Sequence, residues 1–139
     1  MGRALQVLTV ADVVEINRRM IDEFGGFFVG ADSNLANPGS LDHVLQEIQG
    51  SLFGHESYPT VIEKAAAIGW RIIAGHVFHD GNKRTGMEAC RQFLELNGYR
   101  MRIDRGVVCM ALEIAKKEVD FSQFADWLGE RTSKVALSG

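Results

Sequence analysis

The sequence predicts an all-α fold, a compact bundle of about six helices with one conspicuous break between two central helices. Two observations carry this. Apolar residues recur at three- and four-residue spacing in almost every long segment, and alternation with a period of two is nearly absent. A third observation sets the scale: 139 residues suit one hydrophobic core, so residues 1–139 are expected to form a single domain.

The elements follow in order. Thr9, with Asp12 three residues on, resembles a capping box and opens a helix over 9–24. Val13, Met20 and Phe24 share its apolar stripe, and Gly25-Gly26 stops it. Residues 25–39, containing Gly30, Asn34, Asn37, Pro38 and Gly39, read as a loop. Ser40 then caps a short helix to about Gln49 that buries Leu41, Val44, Leu45 and Ile48. Residues 50–58 connect to a long helix that starts with Pro59 in its first turn and runs to about Phe78. Its small stripe of Ala65, Ala66 and Gly69 lets a neighbouring helix come close. After Asp80-Gly81-Asn82 a helix runs from about Lys83 to Leu96 and ends at Asn97-Gly98, where glycine supplies a left-handed residue. Asp104 and Asp120 cap two last helices, near 104–118 and 120–132, whose Phe121, Phe124, Trp127 and Leu128 close the core.

Bulk properties exclude several function classes. No stretch approaches the roughly 18 apolar residues of a membrane span, and the opening Met-Gly-Arg-Ala-Leu-Gln lacks a secretory h-region, so a cytoplasmic protein without membrane contact is expected. Cys90 and Cys109, the only cysteines, both lie in apolar helical patterns and read as small buried hydrophobes. The net charge of −3 argues against direct nucleic-acid binding. Its distribution is uneven: residues 71–105 carry seven basic and four acidic side chains, so an anionic ligand is best placed there.

That segment contains His76-Val77-Phe78-His79-Asp80-Gly81-Asn82-Lys83-Arg84-Thr85-Gly86. A histidine at the end of one helix is followed by a tight turn and by a helix that begins with two cations. The second helix offers unpaired N–H groups and the positive end of its dipole, and Gly81 lets a ligand approach the backbone. Asp80 is a hard oxygen ligand suited to Mg²⁺ shared with phosphate oxygens. An imidazole ordinarily titrates near pH 6.5, which suits His76 to general-base work. Base, metal ligand and phosphate cradle together are the parts needed for phosphoryl or nucleotidyl transfer.

The string resembles the Fic family pattern His-x-Phe-x-(Asp/Glu)-Gly-Asn-Gly-Arg-x-x-Arg, and more closely its Doc (death-on-curing) branch, His-x-Phe-x-Asp-(Ala/Gly)-Asn-Lys-Arg-Thr. Leu8-Thr9, Pro38-Gly39-Ser40-Leu41, Tyr58-Pro59 with Lys64-Ala65-Ala66, and the run Phe93 to Tyr99 extend the likeness over most of residues 8–100. The resemblance implies an active-site loop between two central helices. His76 would take the proton from a target hydroxyl, Phe78 would anchor the loop in the core, and Asp80 would hold Mg²⁺ with the nucleotide. Gly81, Asn82, Lys83 and Arg84 would bind the phosphates. His79 falls on a variable position and is expected at the surface. Thr85 reads as a polar residue of the helix start, and His43 and His55 as surface histidines.

Two departures from the wider Fic pattern bear on the chemistry. Lys83 stands where nucleotidyl-transferring members have glycine, and Met87 where they have a second arginine. In Doc-like proteins this lysine accompanies a reversed ATP, so the resemblance implies γ-phosphate transfer to a Thr or Ser hydroxyl of a protein, with a translation elongation factor as the best-known target class. It also implies a toxin silenced in trans by a small antitoxin, since no inhibitory (Ser/Thr)-x-x-x-Glu-(Gly/Asn) segment is evident. AMP transfer and a non-catalytic binding module remain alternatives, and His79-Asp80 loosely imitates a metal-dependent phosphohydrolase.

Overall fold

A computed structural model of the chain describes residues 4–29, 33–50 and 56–135. His55 and the Ser51 to Gly54 segment lie outside these residues. Among the described residues the chain forms six helices and one short antiparallel strand pair, and no helix is long and apolar enough to cross a membrane.

Helix α1 (Val10–Phe24) opens with the expected capping box: Thr9 accepts from the Asp12 N–H, and Asp12 accepts from the Thr9 N–H. Helix α2 (Pro38–Glu47) starts two residues before the expected Ser40 cap, because Pro38 has its φ fixed for the first helical position; its N-cap residue is Asn37, whose side chain makes no capping hydrogen bond. Helix α3 (Val61–Ala74) is capped by Thr60, whose hydroxyl accepts from the Glu63 N–H, so Pro59 precedes the helix instead of starting it. Buried Lys64 holds the approach to α3 by ion-pairing with Glu56 at 2.7 Å and donating to the Tyr58 carbonyl. Helix α4 (Asn82–Leu96) is followed by Asn97 and by Gly98 at φ 85°, the expected left-handed stop. Asp104 and Asp120 cap α5 (Arg105–Ala115) and α6 (Phe121–Glu130), and Gln123 completes a second capping box.

The strands were not foreseen. β1 (Tyr99–Met101) and β2 (Thr132–Lys134) pair antiparallel with Arg100 opposite Ser133. Three residues are too few to show a period of two, which is why pattern reading extended the last helix through 132.

The α3–α4 crossing lies at the centre of the core. A methyl group added at Gly69 would collide with the Cys90 sulfur and reach within 3.2 Å of the Gly86 carbonyl, while one at Gly86 would come within 2.6 Å of the Ile73 side chain. Both glycines therefore set how near the two helices approach, and through that the position of the loop joining them. Cys90 is buried, donates to the Ala65 carbonyl at 3.0 Å, and has its thiol pKa pushed up to about 12 by burial. Cys109 is exposed on α5, which corrects the expectation that both cysteines are core residues. Among the described residues all the buried apolar side chains but Ile21 belong to one contiguous cluster, with Phe78, Phe93 and Phe124 its largest members.

Candidate active site

Helix α3 ends four residues earlier than its apolar spacing suggested. Gly75 is its C-cap, and the Val77 N–H reaches back to the Ile72 carbonyl at 3.3 Å, the six-to-one bond of a Schellman termination. The residue between them must then be left-handed, a position usually given to glycine. Here it is His76, at φ 48°. Histidine visits this region more readily than a bulky branched residue does, but a side chain there still costs on the order of 1 kcal/mol or more. His76 is exposed at this helix end.

The next residues are held from three sides. Segment 34–37 lies against 76–79 in strand-like fashion: the Ala36 and Asn37 N–H groups donate to the Val77 carbonyl at 2.7 and 3.0 Å. The His79 N–H donates to the Asn34 carbonyl at 2.9 Å, and Asn37 Nδ2 donates to the His76 carbonyl at 3.2 Å. From below, the Phe78 ring is buried in the core, only 1% exposed. Asn82 closes the turn, since its side-chain oxygen accepts from the Phe78 N–H at 2.9 Å and its side-chain nitrogen donates to the Phe78 carbonyl at 2.8 Å. Both ends of that amide are thereby engaged, so the side chain expected to bind phosphate shapes the loop in this structure.

A residue that sequence reading missed supplies a further support. Asn17 is buried on α1 and donates to the Asp80 carbonyl at 2.9 Å and to the Thr85 hydroxyl at 3.0 Å. An asparagine within the apolar stripe beside Ile16 and Ile21 was the available signal, because a buried amide must find partners. Thr85 is fully buried in the first turn of α4 and serves as that partner. Gly81, at φ 77°, packs so closely under Asn17 that a methyl group would lie 3.1 Å from the amide nitrogen. Its left-handed backbone and this crowding together call for glycine.

On the open side the site is cationic. Helix α4, unlike α1, α3, α5 and α6, has no side-chain cap, so its first N–H groups remain available to an anion. Lys83 and Arg84 are exposed in that turn, with the Arg84 guanidinium 4.0 Å from the centre of the Phe24 ring. Phe24, expected in the core, is instead 53% exposed and acts as a platform for that cation. The Asp80 carboxylate accepts from the Gly81 N–H at 2.9 Å and from the Phe27 N–H at 3.1 Å, which fixes it beside this cradle. Among the described residues no three His, Cys, Asp or Glu side chains gather into a metal cage. A partly exposed carboxylate beside two cations and an uncapped helix N-terminus nevertheless fits Mg²⁺ that would take its remaining ligands from a bound nucleotide and water. His79 is exposed, as expected, and His43 is a surface residue within 3.5 Å of Glu47.

Removing the Phe78 anchor should loosen the loop. Phe78→Ala is expected to cost about 3–5 kcal/mol, as for other buried aromatic truncations. Denaturant unfolding of the two proteins measures it, and an unchanged midpoint would contradict the anchoring role.

The chain is similar to two proteins in particular. It is 29% identical over 114 residues to Toxin Doc of Mycolicibacterium smegmatis, covering 79% of this chain and 87% of that protein. It is 23% identical over 117 residues to Protein kinase doc of Escherichia phage P1, covering 84% and 88%. Residues 7–94, which hold α1 to α3, all but the last two residues of α4 and the whole loop just described, match the family described as Fic/DOC. The chain therefore belongs to the Fic/DOC family.

Proposed function

We propose that this protein is a Doc-type toxin that transfers the γ-phosphate of ATP to a threonine or serine hydroxyl of a protein target. The observation that carries the reading is the composition of the first two turns of α4. Lys83 is exposed beside the turn, and Met87 is 5% exposed and uncharged where nucleotidyl-transferring relatives would present arginine. The name Protein kinase doc, borne by one similar protein, agrees with it.

In this mechanism the target hydroxyl docks at His76, which removes its proton as the oxygen attacks the γ-phosphorus. One O–P bond forms, the bond from that phosphorus to the β,γ-bridging oxygen breaks, and ADP leaves with the electron pair. Lys83, Arg84 and the uncapped N–H groups of α4 stabilise the charge on the transferring group and the departing diphosphate. Asn82 acts through the loop shape it holds, and Asn17 keeps the Asp80 peptide in register. Asp80 would hold Mg²⁺, which when bound neutralises phosphate charge and orients the chain of phosphates. The strand-like segment 34–37 borders His76, so an extended stretch of target is the form of substrate the site best admits. A translation elongation factor is the first target to test, and a small antitoxin acting in trans is the expected silencer.

The test is incubation of the purified protein with ATP, Mg²⁺ and a purified elongation factor, followed by intact-mass and peptide analysis. A gain of one phosphate on a hydroxyl residue is expected, and it should be absent when the antitoxin is present. A gain of AMP instead would replace this reading with nucleotidyl transfer.

A further inference from the structure

The Asp80 carboxylate is held by more than the loop that carries it. Its Oδ1 accepts from the Gly81 N–H at 2.9 Å, and its Oδ2 accepts at 3.1 Å from the Phe27 N–H, 53 residues away in the chain. The segment that contains Phe27 is in turn gripped by one buried side chain. Asn34, only 1% exposed, donates from Nδ2 to the Phe27 carbonyl at 3.0 Å and accepts at Oδ1 from the Val29 N–H at 2.9 Å. The Asn34 carbonyl accepts from the His79 N–H at 2.9 Å. These bonds close a circuit that leaves Asp80 by its side chain, passes through Phe27 and Asn34, and returns to the backbone at His79, the residue before Asp80. Turning the carboxylate away therefore breaks the circuit.

We infer that Asn34 and Gly26 are positioning residues, which through this circuit aim the Asp80 carboxylate at a cation bound together with phosphate. The inference rests on the role given to Asp80 in the phosphotransfer reading and adds to it what directs that side chain. An ionised carboxylate offers about four acceptor positions, and the two amides occupy one on each oxygen. The remaining positions stay open to a cation, and neutral amides direct the group without cancelling its charge. Direction matters more here than in a closed metal cage, because among the described residues Asp80 belongs to no group of three His, Cys, Asp or Glu side chains. Ligating carboxylates are generally oriented by hydrogen bonds from residues that do not themselves touch the metal.

Gly26 supplies an independent observation. Its φ is 133°, and a methyl group on it would lie 2.8 Å from Asp80 Oδ2. The missing side chain is what lets the segment come near enough for the Phe27 N–H to reach the carboxylate. A methyl group there would displace the carboxylate, the free end of a short side chain, before it displaced any backbone. Gly25 is the natural comparison, since its φ of 95° is also left-handed but nothing lies within 4 Å of the same added group. A plain loop staple would account for the two side-chain bonds of Asn34. It would not account for an amide aimed at the carboxylate and a glycine packed against it.

The test variants are Asn34→Ala and Gly26→Ala, with Gly25→Ala as the control for backbone strain and Asp80→Asn as the reference for loss of the ligand. ATP affinity is measured by titration calorimetry for each protein, once with Mg²⁺ and once with EDTA. Asn34→Ala and Gly26→Ala are each expected to weaken ATP binding in Mg²⁺ by about 10–100-fold, the usual effect of removing the support of a metal ligand. In EDTA both should match the parent, and Gly25→Ala should match it under both conditions. Combined with Asp80→Asn, neither change should weaken binding further, because the group it aims is gone. Equal losses in Mg²⁺ and in EDTA, losses that add to that of Asp80→Asn, a loss in Gly25→Ala equal to that in Gly26→Ala, or unchanged Mg²⁺-dependent affinity in either variant would overturn the inference while leaving phosphotransfer intact. An Asp80→Asn protein that keeps the full effect of Mg²⁺ would instead remove Asp80 from the role of ligand, and the inference with it.

Discussion

His76→Ala is expected to lower phosphate transfer by about 10²–10⁴-fold, the usual contribution of a positioned general base, with little loss of stability. The imidazole is exposed, and no described side chain depends on it, so alanine removes chemistry and little packing. The backbone at this position sharpens the test. His76 occupies the left-handed residue of a Schellman termination at φ 48°, where glycine would be the unstrained choice. His76→Gly should therefore be as inactive as the alanine variant, yet at least as resistant to heat as the parent. Activity and stability moving in opposite directions would mark a residue retained for chemistry at some cost to the fold. Transfer by His76→Ala within a few-fold of the parent would remove His76 from the role of base.

Much of this was legible in the sequence, for identifiable reasons. Thr9, Asp104 and Asp120 each stand directly before an apolar-periodic run, and each caps a helix in the structure. The end of α3 was misread because Val77 and Phe78 continue the apolar spacing of Ile72 and Ile73. A single Gly75 does not outweigh that pattern until the Val77-to-Ile72 bond is seen. The candidate site residues are contiguous from His76 to Arg84, so a linear reading finds them together. Their supports are not contiguous. Asn17, Phe24 and segment 34–37 reach the loop only through tertiary packing, and no local pattern in α1 marks Asn17 as the donor to Asp80. Asn82 shows the converse difficulty: its motif position suggests a ligand contact, while its amide is paired at both ends with the Phe78 backbone.

The second large effect concerns which phosphate is transferred. Lys83→Gly removes a cation from the α4 terminus and reopens space beside the turn, so γ-phosphate transfer should fall steeply, by tenfold or more if the lysine contacts the transferring group. The single change should give only weak AMP transfer, because uncharged Met87 cannot grip distal phosphates as an arginine would through paired, charge-assisted bonds. Lys83→Gly with Met87→Arg is expected to transfer AMP better than either change alone. The arginine supplies the distal-phosphate contact that methionine lacks. Equal and undetectable AMP transfer by all three variants would show that these two positions do not set the orientation of ATP.

The central claim, that the loop from His76 to Arg84 transfers the terminal phosphate of ATP, is met most directly by incorporation of label into protein from ATP labelled separately at the α- and γ-phosphates. The unmodified protein should deposit γ-label and no α-label, and the signal should vanish in His76→Ala. Deposition of α-label without γ-label would contradict the account.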